Sequence, residues 1–398
     1  MRIAIVSDYF LDYVGGAQTS MRQQQLALEE AGHTVVMVSA SHSLFGPRVR
    51  MVADGIRMRP SVTMPGLQFP IIPNSARTRG ILESYFREQQ IDVVHVQTEF
   101  SLAHAAIEVA ATIGIPSVLT VHTFYWSNEG GPQSSIAWFV RWAVETTSKW
   151  TLPRQQLAPG ATDNTLRNVT LALALRVDTV ISPSAHQARD LENAGVPGPV
   201  VVIPNPVATS PRPSVPLSPA QAAKPTFLWV ARCEPVKRPL VFAQAAIDAL
   251  ASTNGGFSVD FVGDGAQLSA LKKLVEGHPQ LRVHGALSHD EVLDLMDASA
   301  AVVLTSLGFD NQPMTIAEAV SRERGVLYCD PKLREGLSGA GYLSETPDAA
   351  GLTTAIEALV ADPTILQHLS AGAAADRNEF GPATYVERVL AVYEGIPR

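Results

Sequence analysis

Residues 225–240, PTFLWVARCEPVKRPL, open a second series of strands and helices in the middle of the chain. Phe227–Val230 is an apolar run of the length of a buried strand, and a loop with a proline and several cations follows at once. Immediately upstream, Pro204–Pro225 carries seven prolines and almost no periodicity, the texture of an interdomain linker. The chain before it has the same grammar. Ile3–Val6, Val35–Val38, Asp92–Val96, Val118–Val121, Thr179–Ser182 and Val200–Ile203 read as strands. Helices fall at Thr19–Ala31 and Ser101–Ile113, the second stopped by Gly114-Ile115-Pro116. After it, Val259–Val262, Arg282–His284, Ala301–Leu304 and Val326–Tyr328 continue as strands. Short apolar runs alternating with helical periodicity predict parallel sheets covered on both faces. The expected fold is therefore α/β, with two Rossmann-like doubly wound domains. Their strand C-terminal ends should face each other across one ligand cleft.

The boundaries expected are 1–205 for the first domain, 206–225 for the linker, 226–380 for the second domain and 381–398 for a terminal helix centred on Ala383–Tyr393. One segment breaks the rhythm. Residues 124–176 carry Trp126, Trp138, Phe139, Trp142 and Trp150 among Gly, Pro and Ser. They read either as an inserted helical pair capping its own sheet, or as an acceptor-side lid or membrane-contacting element.

Composition narrows the function classes. Length, at 398 residues, suits two domains, and 46% apolar with 17% charged residues suits large buried sheets. A net charge of −8 argues against nucleic-acid binding, which needs clustered cations. The two cysteines, Cys233 and Cys329, sit in no metal-ligand or disulfide pattern, so no metal is expected. MRIAIVSDYF enters a strand directly without the long apolar stretch of a signal peptide, and no run approaches the ~20 apolar residues of a membrane span. The expected location is cytoplasmic.

Five motifs carry chemistry. Val14-Gly15-Gly16-Ala17 follows the first strand, where glycines admit a ligand close to the backbone and a helix start offers N–H groups to an anion. It lacks the GxGxxG spacing of dinucleotide enzymes, and no acid ends the second strand. His122 ends a central strand, where imidazole or backbone can contact a sugar hydroxyl. Arg232 and Lys237 flank a strand-to-helix loop and can converge on a diphosphate, stabilising its charge as it departs. The fourth motif runs from Ser306 to Ala319. Asp310 lies in its loop, a helix begins near Met314 and Thr315, whose N–H groups can hold phosphate, and Glu318 can accept both hydroxyls of a ribose. Last, Val262-Gly263-Asp264-Gly265 is a strand–turn–helix whose Gly263 could line the nucleotide, although a generic turn would look the same.

Taken together and in this order, these residues resemble the GT-B retaining glycosyltransferases of family 4 over nearly the whole chain. The resemblance implies a UDP- or GDP-sugar donor held largely by the C-terminal domain, no obligatory metal, and a terminal helix crossing back to the first domain. Carried over, Arg232 and Lys237 bind the diphosphate, Glu318 the ribose, and His122 with Asp310 the donor sugar. Two departures stand out. Asp310 replaces the usual Glu, with Asn311-Gln312-Pro313 in place of a nearby glycine, and Arg238 follows the Lys where the family commonly has Gly. The stretch His95–Leu102 with His122-Thr123-Phe124 looks most like members that glycosylate lipids. Between Leu44 and Arg87, seven arginines against two acids surround apolar Met64, Leu67, Phe69, Ile71 and Ile72. Such a patch suits peripheral contact with an anionic membrane, or is a solvated basic face. The expected acceptor is thus a lipid or an envelope glycan. No carboxylate of the first half reads as a nucleophile, so front-side displacement is expected. The rival readings are a nucleotide-sugar 2-epimerase of similar fold and a non-catalytic sugar-nucleotide-binding protein.

Overall fold

A computed structural model describes residues 1–12, 15–64, 69–125, 133–208 and 212–396. Val14, Leu67 and Trp126 lie outside these described residues, as does the side chain of Met64. The chain forms two compact units, residues 1–208 with 382–398, and residues 209–381.

The first unit begins with β1 (Arg2–Val6), α1 (Gly16–Glu30), β2 (Thr34–Ala40), β3 (Val49–Val52), β4 (Gly55–Met58), β5 (Val62–Met64) and β6 (Phe69–Ile71). It continues with α2 (Ala76–Glu88), β7 (Val93–Val96), α3 (Ser101–Ile113), β8 (Ser117–Thr120), α4 (Gln133–Ser148) and α5 (Ala161–Ala174). β9 (Thr179–Ser182), α6 (Ala185–Asn193) and β10 (Val201–Val202) complete its contiguous part. Eight strands order as β10-β9-β8-β7-β1-β2-β4-β3, all parallel except edge strand β3, while β5 and β6 pair as a separate antiparallel ribbon. β1, β7 and β8 sit centrally, and nearly every side chain in them is buried, as expected of a parallel sheet covered on both faces.

The second unit runs α7 (Pro219–Ala223), β11 (Thr226–Val230), α8 (Pro239–Ser252), β12 (Ser258–Val262), α9 (Leu268–Leu274), β13 (Leu281–Gly285) and α10 (His289–Ala298). It ends with β14 (Ala301–Leu304), α11 (Met314–Ser321), β15 (Gly325–Tyr328), β16 (Gly341–Leu343), α12 (Ala349–Ala361) and α13 (Pro363–Asp376). Its six strands order as β13-β12-β11-β14-β15-β16, all parallel. Phe227, Trp229, Phe242, Phe257 and Phe261 fill its core. The final helix, α14 (Pro382–Gly395), returns to the first unit. Tyr385, Val386, Val389 and Tyr393 pack there with Ile3, Ile5, Met21 and Leu28, and the Tyr393 hydroxyl lies 2.7 Å from His95 Nδ1.

Two stretches differ from expectation. The proline-rich segment is no free linker: past the undescribed 209–211 it is fastened to the second unit. Prolines have no N–H and cannot pair with one another, so the carbonyls of such a stretch need outside donors. Arg322 donates to Arg212 O at 2.9 Å and Pro213 O at 3.2 Å, and buried Arg324 donates to Val215 O at 2.7 Å. Ser218 then starts α7 with a capping box. The basic stretch 44–87 contains β3 to β6 and α2, which half-exposed arginine-bearing strands concealed. Of its apolar residues, Ile72 is core, and Phe69 packs edge-on against Phe100 (4.5 Å) and Tyr9 (5.9 Å). Leu44, Phe45, Met51 and Val62 are exposed, Phe45 by 85%. Among the described residues of 124–176, α4 and α5 form the helical pair of the first of the two expected readings, with Trp138, Phe139 and Trp142 exposed along α4.

Candidate functional site

In the second unit the expected residues gather at the C-terminal ends of β11 and β14. Arg232 is exposed, and no hydrogen bond or ion pair of its side chain is found among the described residues. Cys233 N donates to Asp264 O at 2.8 Å, which ties this loop to the Gly263 turn. Gly263 has φ +141, and a Cβ there would stand 1.8 Å from the Ala231 carbonyl oxygen. Gly263 therefore shapes the Arg232 loop by close backbone approach.

Lys237 ends a 3-10 turn, Pro235–Lys237. Its Nζ lies 2.5 Å from Asp310 Oδ1, both side chains are largely buried, and the ammonium sits over the Phe309 ring at 5.3 Å. The sequence reading gave Lys237 to the diphosphate and Asp310 to the sugar; the structure couples the two. An ammonium has three donors, so two remain for a ligand. Asp310 Oδ2 is buried with no hydrogen-bond partner among the described residues, and so is Ser306 Oγ in the same loop. Orphaned acceptors of this kind are costly unless a ligand's donors reach them.

The departure at Arg238 has a structural reason. Arg238 adopts the left-handed conformation (φ 54, ψ 44), where glycine is usual. Its guanidinium offsets the strain by donating to Thr305 O at 3.3 Å and Pro347 O at 2.7 Å. Thr305, which sequence reasoning missed, is a hub: it accepts from Trp229 Nε1 at 2.9 Å and donates to Lys237 O at 2.6 Å, fixing the backbone that carries Lys237.

Met314 and Thr315 form the first turn of α11, whose N-terminus follows Pro313 and has no side-chain cap. Free N–H groups at such a terminus favour an anion. One turn on, Glu318 is mostly buried, and burial pushes its carboxyl from 4.5 up to about 7. His289 Nδ1, 3.9 Å from Glu318 Oε1, is the other titratable group against it.

In the first unit, Gly15 precedes α1 in extended backbone and no side chain caps that helix. A Cβ on Gly16 would meet nothing within 4 Å, so the protein's own packing does not demand glycine there. His122 follows β8, and its Nε2 lies 2.6 Å from Gln97 Oε1. Burial lowers the imidazole to about 4. Two acids that the sequence reading passed over end strands nearby. Asp8 accepts from Thr98 Oγ1 (2.7 Å), Leu102 N (2.8 Å) and Ala103 N (3.3 Å), so it caps α3, which Phe100 cannot. Glu99 accepts from Thr170 Oγ1 at 3.0 Å, and burial lifts it to about 8. Among the described residues no group of three or more His, Cys, Asp or Glu is placed to hold a metal ion.

Relatives are found for both parts of the chain. The family models Glycosyltransferase Family 4 and Glycosyl transferases group 1 match residues 14–211 and 224–362. A stretch of 133 residues, 31% of the chain, is 33% identical to the alpha-monoglucosyldiacylglycerol synthase of Acholeplasma laidlawii and covers 30% of it. Another match, 29% over 145 residues and 35% of the chain, is to a GDP-mannose-dependent alpha-mannosyltransferase of Mycolicibacterium smegmatis, of which it covers 38%. The matched stretches thus span about a third of these relatives. In fold, sucrose-phosphate synthase of Thermosynechococcus elongatus is similar over 99% of this chain and 98% of its own, with a TM-score of 0.68 at 17% identity.

Proposed function

Since the chain belongs to the group 1 glycosyltransferases, with a family 4 N-terminal half and the GT-B fold, it is a transferase, and we propose that it moves a hexose from a UDP- or GDP-sugar to a lipid or glycan acceptor with retention at the anomeric carbon. The observation that carries this reading is the Asp310 carboxylate. One oxygen is on Lys237 Nζ, and the other is buried without a partner, awaiting the hydroxyls of a sugar.

Each remaining group has a matching task. Arg232 and the first turn of α11 hold the diphosphate, and Glu318 accepts the ribose hydroxyls. Lys237 bridges the sugar-binding carboxylate and the departing phosphate, so its attraction grows as the C1–O bond breaks. His122 contacts a hydroxyl of the donor hexose. Neither acid of the first unit suits double displacement: the Asp8 oxygens are committed to α3, and Glu99 keeps its proton at pH 7. Front-side displacement follows. The acceptor oxygen forms its bond to C1 on the face the diphosphate leaves, and a phosphate oxygen takes the acceptor proton. Open space at Gly16 suits close approach of a ligand to the start of α1.

A lipid acceptor would bring the protein to a cytoplasmic membrane surface. Exposed Phe45, Leu44 and Met51 beside Arg48 and Arg50 support contact with anionic lipid. No single helix among the described residues is long and apolar enough to cross a membrane.

Thermal shift against UDP, GDP, ADP and their sugars tests the donor class. A rise of several degrees with one nucleotide is expected, and no response at millimolar ligand would sink the reading. Glu318 adds a pH signature. Ribose hydroxyls need the ionised carboxyl as acceptor, and the free group titrates at about 7. Affinity for the nucleotide-sugar is therefore expected to be nearly full at pH 8 and to weaken about tenfold on going to pH 6. Calorimetry should find the profile flat in Glu318→Gln and kept in His289→Ala. A flat wild-type profile would remove Glu318 from the ribose.

A further inference from the structure

The first unit contains a hydrogen-bond chain that runs from Asn205 to His122. Ser20 and Gln24 lie one turn apart on α1, Gln97 follows β7, and Asn205 follows β10; all four are buried. Ser20 Oγ donates to Asn205 Oδ1 at 2.6 Å. Gln24 Nε2 donates to Ser20 Oγ at 2.9 Å and more weakly to the same Asn205 oxygen at 3.4 Å. Gln24 thus turns its Oε1 toward Gln97, whose Nε2 donates to it at 2.8 Å. An amide has donors on one side and an acceptor on the other. Only Oε1 of Gln97 is left for His122, and it sits 2.6 Å from Nε2. A carbonyl oxygen at that place requires the imidazole proton to be on Nε2.

We propose that Gln97 is a positioning residue that holds His122 as the Nε2–H tautomer, leaving Nδ1 as a hydrogen-bond acceptor that selects a ligand hydroxyl over a phosphate or carboxylate oxygen. Burial keeps the ring neutral at pH 7, so Nδ1 has a lone pair to offer. No hydrogen bond to Nδ1 is found among the described residues. The contrast with His95 is instructive. Both of its ring nitrogens are occupied, by Tyr393 OH and Thr120 Oγ1, each at 2.7 Å, so it serves the fold. The choice of a sugar hydroxyl as the ligand rests on the donor contact proposed for His122 above; the tautomer does not.

The test uses the full chain with 15N-labelled histidine and long-range 1H–15N correlation on the imidazole rings. His122 is expected to show a protonated Nε2 and a bare Nδ1 in the wild type. Gln97→Met keeps the length of the side chain but removes both amide functions. It is expected to give a mixture of tautomers and a kcat about tenfold lower with UDP-glucose or GDP-mannose, whichever is turned over. Gln97→Glu, whose carboxylate accepts the same proton, is expected to restore the tautomer and the larger part of the rate. A purely structural Gln97 would give the reverse order, because Glu introduces a buried charge. Melting curves separate loss of fold from change of tautomer. An Nδ1–H tautomer in the wild type, or wild-type tautomer and rate in Gln97→Met, overturns the proposal. If His122→Ala left transfer untouched while the tautomer stood as stated, the donor contact would fail and the Gln97 assignment would remain.

Discussion

Lys237→Ala is expected to lower kcat for hexosyl transfer by about 100- to 1,000-fold, with a much smaller change in donor affinity. Two losses combine. In the proposed reaction the ammonium no longer meets the charge that builds on the departing diphosphate, and Asp310 is left as a buried carboxylate with neither oxygen paired among the described residues. The second loss predicts a coupling that a simple phosphate contact would not show. Adding Asp310→Asn to Lys237→Ala should cost far less than the sum of the single changes, because each variant already breaks the same pair. Steady-state rates for the four combinations measure this directly. A near-wild-type rate for Lys237→Ala would remove it from the reaction, and strict additivity would dissolve the pair.

Gly263→Ala is expected to cost the second unit about 3 kcal/mol or more, a fall of about 10 °C in its melting temperature. A φ of +141 is strained for any residue with a Cβ, and here that Cβ would fall 1.8 Å from the Ala231 carbonyl oxygen. Backbone, not a flexible side chain, has to move, and it is the backbone that carries Arg232. Nucleotide affinity should therefore fall even where the protein remains folded. Gly80→Ala is the control. It lies inside α2 with nothing within 4 Å of the added carbon, and should be neutral or stabilising by up to about 1 kcal/mol. Calorimetric melting of both variants decides the matter, and equal melting temperatures would refute the packing argument.

The central strands were legible because a strand buried on both faces is apolar throughout, as VVHV in β7 and AVVL in β14 nearly are. The edge was not. β3, VRMV, points Arg50 and Met51 to solvent, so its composition reads as a basic patch. The candidate site residues follow the same division. Arg232, Lys237 and Glu318 stand at the ends of legible strands or just inside the following helix, where the fold delivers ligand contacts. What joins them was hidden by distance along the chain. Lys237 and Asp310 are 73 positions apart, and Gln97 meets Gln24 across another 73. Arg238 was visible only as an odd residue in place of glycine; its left-handed backbone supplies the meaning. The prolines of 212–219 misled because local composition cannot reveal that Arg322 and Arg324, more than a hundred residues later, supply the missing donors.

The return of α14 to the first unit sets an order of events during synthesis. A ribosome makes residues 1–208, then the whole of the second unit, and only then the helix that covers Ile3, Ile5 and Met21 and brings Tyr393 to His95. The second unit has its own core and its own sheet, so it can fold while the first still lacks that helix. Until α14 arrives, the face of the first sheet that carries Ile3 and Ile5 is an exposed apolar surface.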